Sequence, residues 1–374
     1  MTDSAASAKR EPGHAANRHE SADGQSSPPP NGQGSMDHVA GRSDNDDVAV
    51  VERLREAQRR VKSEVAKVVV GQESVIDSLL IGLLCRGHIL LLGVPGLGKT
   101  LMGRTLSRTL DMDFRRIQFT PDLMPSDITG ADVLEEEQVS GRYSVKFMRG
   151  PVFTNFLLAD EINRTPPKTQ AALLQAMQER EVSVGRETHP LEPPFFVVAT
   201  QNPIEMEGTY PLPEAQLDRF MFNLRVKYPT IDEEVSIVKG TTSLHVAKAE
   251  PVLSRDDVVR LQDLVRGVPV ADSVIRYAAT LVAATRPGEG APRETIHHYI
   301  SYGASPRASQ YLVLGAKARA VLAGRYHVDF ADVQALAHDV LRHRLVLNFH
   351  ARAENIDPDA LVDRVLGAVP EETN

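Results

Sequence analysis

Only one cysteine, Cys85, occurs in 374 residues, so no disulfide can form within the chain. It ends the apolar run Leu79-Leu80-Ile81-Gly82-Leu83-Leu84-Cys85, where a thiol serves as a small core side chain rather than a reactive group. Long apolar runs are missing as well. None approaches the ~18 residues of a membrane helix, and the N-terminal stretch has no apolar signal region. No membrane span is therefore expected, and the cytoplasm is the expected compartment. An excess of positive charge is also lacking. The formal net charge is −8, whereas nucleic-acid binding draws on a basic face. That argues against broad nucleic-acid binding and leaves room only for a local basic patch. No internal repeat is visible. The rest is ordinary for a globular chain, with 42% hydrophobic and 25% charged residues, and the length suits two domains at about 150 residues each.

Apolar side chains are scarce at the start of the chain. Between Met1 and Val39, Met36 is the only one larger than Ala or Pro. Such a segment cannot offset its ordering entropy, so residues 1–48 read as a disordered polar tail. Beyond it, Val51, Leu54, Ala57, Val61 and Val65 recur at helical spacing, and a second helix is expected from Glu73 to Cys85.

The stretch that organises the chain runs from His88 to Thr105. Ile89-Leu90-Leu91-Leu92 is a short apolar run bounded by turn residues and reads as a buried strand. Gly93-Val94-Pro95-Gly96-Leu97-Gly98-Lys99-Thr100 follows, and Leu101 to Leu110 can continue as a helix. This is G-x-x-x-x-G-K-[ST] in the strand–loop–helix setting that the motif requires. Its glycines let backbone N–H groups turn inward at a helix N-terminus, making a concave anion site. Lys99 is placed to reach the β- and γ-phosphates of a nucleotide and Thr100 to hold Mg²⁺.

Four more strands are expected at Arg115–Phe119, Phe153–Ala159, Phe195–Ala199 and Phe222–Val226. Their alternation with helices implies a parallel sheet covered on both faces, an α/β domain over residues 49–229. Two hairpins interrupt it, at Asp132–Phe147 with a turn near Ser140-Gly141, and at Glu181–Leu191. They read as plain loops or as substrate-touching parts with equal weight. After Pro229 the strands stop. Thr230 with Glu233 and Ser254 with Asp257 form capping boxes, Asp272 to Thr285 is helical, and Ser305-Pro306, Asp329 and Asp357-Pro358 open further helices. Residues 230–374 read as an all-α second domain.

Phe156-Leu157-Leu158-Ala159-Asp160-Glu161 is an apolar strand ending in two carboxylates, at the strand end where open parallel sheets bind ligands. Asp160 is placed to hold Mg²⁺ through water and Glu161 to polarise an attacking water. Val197-Val198-Ala199-Thr200-Gln201-Asn202-Pro203 ends a strand in amides, and one of them can orient that water. Leu217-Asp218-Arg219-Phe220 offers an arginine of the kind supplied in trans during phosphoryl transfer. Arg307 stands in the first turn of a helix, against the dipole, which suggests a role toward an anionic nucleotide held between the two domains. His297-His298 does not make a metal site, since adjacent helical residues do not share a face.

Together these motifs resemble an AAA+ ATPase. More narrowly, Gly71-Gln72-Glu73, the run Gln118-Phe119-Thr120-Pro121-Asp122-Leu123-Met124-Pro125-Ser126-Asp127 and the run Leu212-Pro213-Glu214-Ala215-Gln216-Leu217-Asp218-Arg219-Phe220 look like the MoxR family, over about residues 49–368. The resemblance implies a P-loop NTPase core with a parallel five-stranded sheet and an all-α lid. It assigns Gly93, Pro95, Gly96, Leu97, Gly98, Lys99, Thr100 and Leu101 to the Walker A segment, and Asp160 and Glu161 to Walker B. Asn202 becomes sensor 1, Arg219 the arginine finger and Arg307 the sensor 2 arginine. Val69 to Gln72, Val70 and Gly71 among them, would line the adenine pocket. The implied activity is Mg²⁺-dependent ATP hydrolysis by a chaperone-like homo-oligomeric ring, most simply a hexamer. Such a ring would remodel or mature protein complexes, in metal insertion or enzyme assembly, with a von Willebrand factor A domain partner. The alternatives are a nucleic-acid-acting AAA+ motor, against which the net charge argues, and a magnesium-chelatase-like subunit. A nucleotide-bound scaffold without turnover is disfavoured by the intact Glu161, Asn202 and Arg219.

Overall fold

The computed structural model describes residues 44–136, 143–204, 208–244, 247–288 and 298–371. The expected tail as far as residue 43, the Ser140-Gly141 turn and His297 lie outside the described residues. Helix α1 (Asp44–Ala66) begins inside the stretch expected as tail.

Helix α2 (Glu73–Leu84) leads into β1 (Ile89–Leu92), and α3 (Lys99–Thr109) into β2 (Phe114–Gln118). A short helix α4 (Pro125–Thr129) precedes the antiparallel pair β3 (Gly130–Glu136) and β4 (Tyr143–Arg149). Strand β5 (Phe156–Asp160), helix α5 (Pro167–Glu179) and the hairpin β6 (Glu181–Val184) and β7 (Glu187–Pro190) follow. Strand β8 (Phe196–Gln201), the short helix α6 (Glu214–Leu217) and β9 (Phe222–Arg225) complete the sheet region. The five strands β2-β5-β8-β1-β9 form one sheet in that order, every pair parallel. Gly93 after β1, Glu161 after β5 and Asn202 after β8 therefore leave the sheet at one edge.

Near-continuous apolar strands are what burial on both faces demands. Ile89, Leu91, Phe156, Leu158, Phe196, Val198, Phe222 and Leu224 face one cluster, and Leu90, Leu157, Ala159, Val197 and Ala199 face the other, with Leu173, Leu174 and Met177 of α5.

The helical part comprises α7 (Ile231–Thr241), α8 (Arg255–Gly267), α9 (Asp272–Ala283), α10 (Pro306–Leu322), α11 (Phe330–Leu341), α12 (Phe349–Ala353) and α13 (Pro358–Ala368). Thr230 and Ser254 cap α7 and α8 as expected, accepting from Glu233 and Asp257 backbone N–H groups. One departure from an all-α reading is a small antiparallel ladder, β10 (Ile300–Tyr302) with β11 (Val346–Leu347). Strands this short carry no alternation to read. The helices do not enclose a core of their own. Their apolar side chains join the cluster on the first face of the sheet, which runs from Val61 of α1 to Val365 of α13. Gly315 of α10 permits the close approach, since a Cβ there would stand 2.7 Å from Leu336 and 3.2 Å from Met221.

A buried charge cluster pins the same junction. Arg344, 6% exposed, donates through Nε to Asp218 Oδ1 at 2.8 Å, and through Nη2 to the carbonyls of Asp218 and Phe220 at 2.9 and 2.7 Å. Arg307 Nη1 reaches Asp218 Oδ2 at 3.1 Å, and the Ser305 hydroxyl donates to the same carboxylate. Burial pulls the Arg344 pKa below its usual value, and Asp218 opposes that. Removing one partner of a buried pair strands the other charge. Asp218→Ala is expected to cost about 3–5 kcal/mol and Asp218→Asn less, as read from urea denaturation midpoints.

His88 is buried just before β1. The Val197 N–H donates to its Nδ1 at 3.0 Å, and its Nε2 meets the Met177 carbonyl at 3.1 Å, so the proton sits on Nε2. Burial lowers its pKa to about 4. An unfolded histidine titrates near 6.5, so the unfolded chain binds the extra proton first as pH falls. The stabilising contribution is full above about 6.5 and is lost as pH falls toward 4, a change of about 3 kcal/mol. His88→Leu should be less stable at pH 7, because it orphans two buried backbone groups, yet show a flatter stability profile between pH 6.5 and 4.

Candidate nucleotide site

The loop after β1 is open where it has to be. Gly96 and Gly98 have φ of +87° and +73°, and a Cβ built on either meets no atom within 4 Å. These left-handed conformations suit glycine, and they leave a backbone cradle at the N-terminus of α3, which starts at Lys99. Four N–H groups at a helix start have no partner inside the helix, so the cradle fits an anionic phosphate. The Lys99 ammonium is folded onto the loop itself, donating to the carbonyls of Gly93 at 2.6 Å and Val94 at 2.8 Å. Burial lowers its pKa, and Asp160 and Glu161 counter that.

Pro95 to Leu101 line a cavity of about 420 Å³ together with Arg116, Asp160, Glu161, Thr200 and Asn202. Parallel strand order is what joins these distant residues. Asp160, at the end of β5, is 8% exposed. Its Oδ1 accepts from the Thr200 hydroxyl at 2.6 Å, and its Oδ2 from Arg116 Nε at 3.0 Å and Nη2 at 2.6 Å. With both oxygens engaged, Asp160 suits a metal held through water, and the Thr100 side chain lies on the same cavity. Glu161 sits at φ +58°, a left-handed conformation that a non-glycine residue adopts only when its surroundings enforce it. The Thr200 hydroxyl accepts its backbone N–H at 2.9 Å. The Glu161 carboxylate accepts from Gln118 at 2.8 Å and Arg164 at 3.1 Å. Asn202 Oδ1 accepts from the Ile204 N–H at 3.1 Å, which closes a turn and leaves the amide nitrogen for the cavity.

Arg116 and Thr200 carry no role in the sequence reading, although both hold Asp160. Thr200 stands in the Ala199–Pro203 motif and was legible as a strand end. Arg116 was not, because only the parallel register of β2 on β5, with Arg116 opposite Leu158, brings it to Asp160.

Five expected positions lie away from this cavity. Gly93 underlies the loop as acceptor for Lys99 and against Val226. Val70 and Gly71 do not line the cavity. Gly71 instead lies against the start of α7, where a Cβ would come within 2.8 Å of the Glu233 carboxylate. Arg219 and Arg307 do not reach the phosphate loop of their own chain. Arg219 Nη1 donates to the Leu174 carbonyl of α5 at 3.2 Å, Arg307 pairs with Asp218, and both line a second cavity of about 840 Å³ that shares no residue with the first. The dipole cost of Arg307 at the start of α10 is thus met by the Asp218 carboxylate.

Comparisons with known proteins agree with this geometry. The ATPase family associated with various cellular activities (AAA) matches residues 88–222, and the AAA lid domain matches residues 293–365. The chain is 46% identical over 308 residues to the chaperone MoxR1 of Mycobacterium tuberculosis, covering 82% of this chain and 80% of that protein. It is 33% identical over 339 residues to the protein MoxR of Paracoccus denitrificans, covering 85% and 96%. A solved structure from Cytophaga hutchinsonii superimposes with a TM-score of 0.81 at 43% identity, over 87% of this chain and 98% of that one. With a phosphate cradle, two strand-end carboxylates and a helical lid in place, the chain is an ATP-hydrolysing enzyme and belongs to the MoxR family of AAA ATPases.

Proposed function

We propose that the chain hydrolyses ATP with Mg²⁺ as a chaperone-like homo-oligomeric ring, a hexamer, that remodels or matures protein complexes in the cytoplasm. In this reading residues 49–229 are the nucleotide-binding domain, 230–374 the lid and 1–48 a tail outside the ATPase core. The observation that carries it is the separation of two halves of one site. The phosphate cradle, Asp160, Glu161 and Asn202 share one cavity, while Arg219 and Arg307 stand in another on the same chain. Two halves that cannot meet within a chain can meet across a head-to-tail contact, and such contacts close into rings.

Lys99 leaves its own loop carbonyls to contact the β- and γ-phosphates. Thr100, and Asp160 through water, hold Mg²⁺, which when bound neutralises phosphate charge and orients the triphosphate. Glu161 accepts a proton from the attacking water, and the Asn202 amide orients that water. Arg219 and Arg307 of the neighbouring subunit complete the charge at the phosphates. Val70 and Gly71 border the base near the start of α7. For clients, the β3–β4 pair offers Leu134 and Val145 as cross-strand partners with Tyr143 on the same face, all exposed. The chaperone reading is supported by the name of the Mycobacterium tuberculosis relative. A partner with a von Willebrand factor A domain and work in metal insertion or enzyme assembly are what the family resemblance implies.

Four measurements test this. Lys99→Ala should abolish ATP binding by calorimetry, and near-normal affinity would refute the site. Glu161→Gln should bind ATP and lose hydrolysis by about 10²-fold or more, and the trapped ring should co-purify its client and partner. Turnover of the wild type should rise with protein concentration. Arg219→Ala should bind ATP yet fail to hydrolyse it, and mixing it with Lys99→Ala should restore part of the activity, because some interfaces then hold both intact halves.

A further inference from the structure

The second cavity holds more positive charge than two arginines account for. Arg86, Arg180, Arg219, Arg266, Arg307 and Lys317 all line it, and no Asp or Glu does. Two of the six are neutralised from outside the cavity, Arg86 by Asp263 at 2.6 Å and Arg307 by Asp218 at 3.1 Å. Among the described residues, Arg180, Arg219, Arg266 and Lys317 form no ion pair. Arg180 reaches only the Arg86 carbonyl, at 3.5 Å, and Lys317 only the Arg266 carbonyl, at 2.9 Å. In a chain of net charge −8, such a concentration has a cost that an anion would remove. Burial lowers the pKa of Arg180 and Lys317, and Arg266 adds like-charge repulsion at both.

The phosphate cavity holds no such excess. It carries Lys99 and Arg116 against Asp160 and Glu161, and Arg116 is already spent on Asp160. A triphosphate bound there would be left short of cations within one chain. With ATP bound one cavity would be short of positive charge, and the other holds positive charge in excess.

We propose that Arg180 is a further cation in contact with the phosphates of the neighbouring subunit's ATP, beside Arg219. This rests on the shared-site reading above and extends it to a residue outside the motifs of the sequence. Arg180 is placed for the task. It closes the C-terminus of α5 at φ +57°, where a cation is favoured by the helix dipole. The same helix holds Arg219 through the Leu174 carbonyl, so both guanidinium groups are set by one rigid element. The guanidinium fork suits phosphate oxygens. The other end of α5 follows Glu161 by one short turn, so the helix that carries Arg180 toward the neighbour's site starts at the chain's own.

The test uses the full chain. Arg180→Ala should leave ATP binding at the phosphate loop unchanged by calorimetry and lower kcat by about 10–100-fold, less than the ~10³–10⁵-fold of an arginine finger. Arg180→Lys should recover part of that loss. Arg180→Ala mixed with Lys99→Ala should regain activity, because the Lys99→Ala subunit supplies an intact Arg180 to its neighbour's intact loop. The Arg219→Ala and Lys99→Ala mixture is run alongside. If that mixture recovers and the Arg180 mixture does not, Arg180 acts within its own chain or only structurally, and the inference falls alone. If neither recovers although mixed oligomers form, the shared site falls and the inference with it. Wild-type turnover by Arg180→Ala overturns the inference directly. Should that variant fail to assemble, Arg180→Gln replaces it in the same mixtures with the same readings.

Discussion

Asp218 is the carboxylate on which the arrangement of the two halves depends. It accepts from Arg344, Arg307 and Ser305, three groups from the helical part, while its backbone neighbour Arg219 faces the cationic cavity. A buried guanidinium is tolerable only when its donors are met, and Arg344 meets them with this carboxylate and with the carbonyls of Asp218, Phe220 and Met221. The segment bearing Arg219 therefore cannot shift without breaking contacts to the helices. The Tyr311 hydroxyl, donating to the Arg219 carbonyl at 3.3 Å, adds a further tie from α10. Arg219 and Arg307 are thus tied to the helical part at one point.

Strand order and charge pairing then hold two sets of groups apart within the chain. The cradle and the two carboxylates converge because β1, β5 and β8 are parallel neighbours, so their ends open on one edge. The arginines are held elsewhere by Asp218 and by α5. Lys99 rests on its own loop carbonyls, a store of donors that a phosphate can claim. Glu161 is kept in a left-handed backbone by the Thr200 hydroxyl, and its carboxylate is aimed by Gln118 and Arg164. These local strains sit at the edge of an otherwise tightly packed sheet, which can sustain them.

Much of this was legible in the residues alone because its causes are local. The phosphate loop is a run of glycines with a lysine and a threonine, β1 is a four-residue apolar run, and Asp160-Glu161 ends an apolar strand. The capping boxes at Thr230 and Ser254 depend on contacts three residues apart. A resemblance to the MoxR family followed from motifs of the same kind. The start of α1 was misplaced by a few residues, since acidic residues favour both a solvated tail and a helix N-terminus.

What tertiary structure decided is everything that rests on residues far apart in the chain. Strand order and register bring Arg116 to Asp160, 44 residues away, and no periodicity reports a register. The bond between Arg344 and Asp218 spans 126 residues. One apolar cluster serves both the sheet and the helices, which a change from strand pattern to helix pattern at Pro229 does not reveal. The cationic cavity gathers side chains from α5, the Arg219 segment, α8 and α10, and of these Arg180, Arg266 and Lys317 read in isolation as solvated charges. Sequence determines which groups a short segment can offer, because propensity, capping and loop conformation act over a few residues. Only packing decides which of those groups meet, because burial and charge pairing act through space.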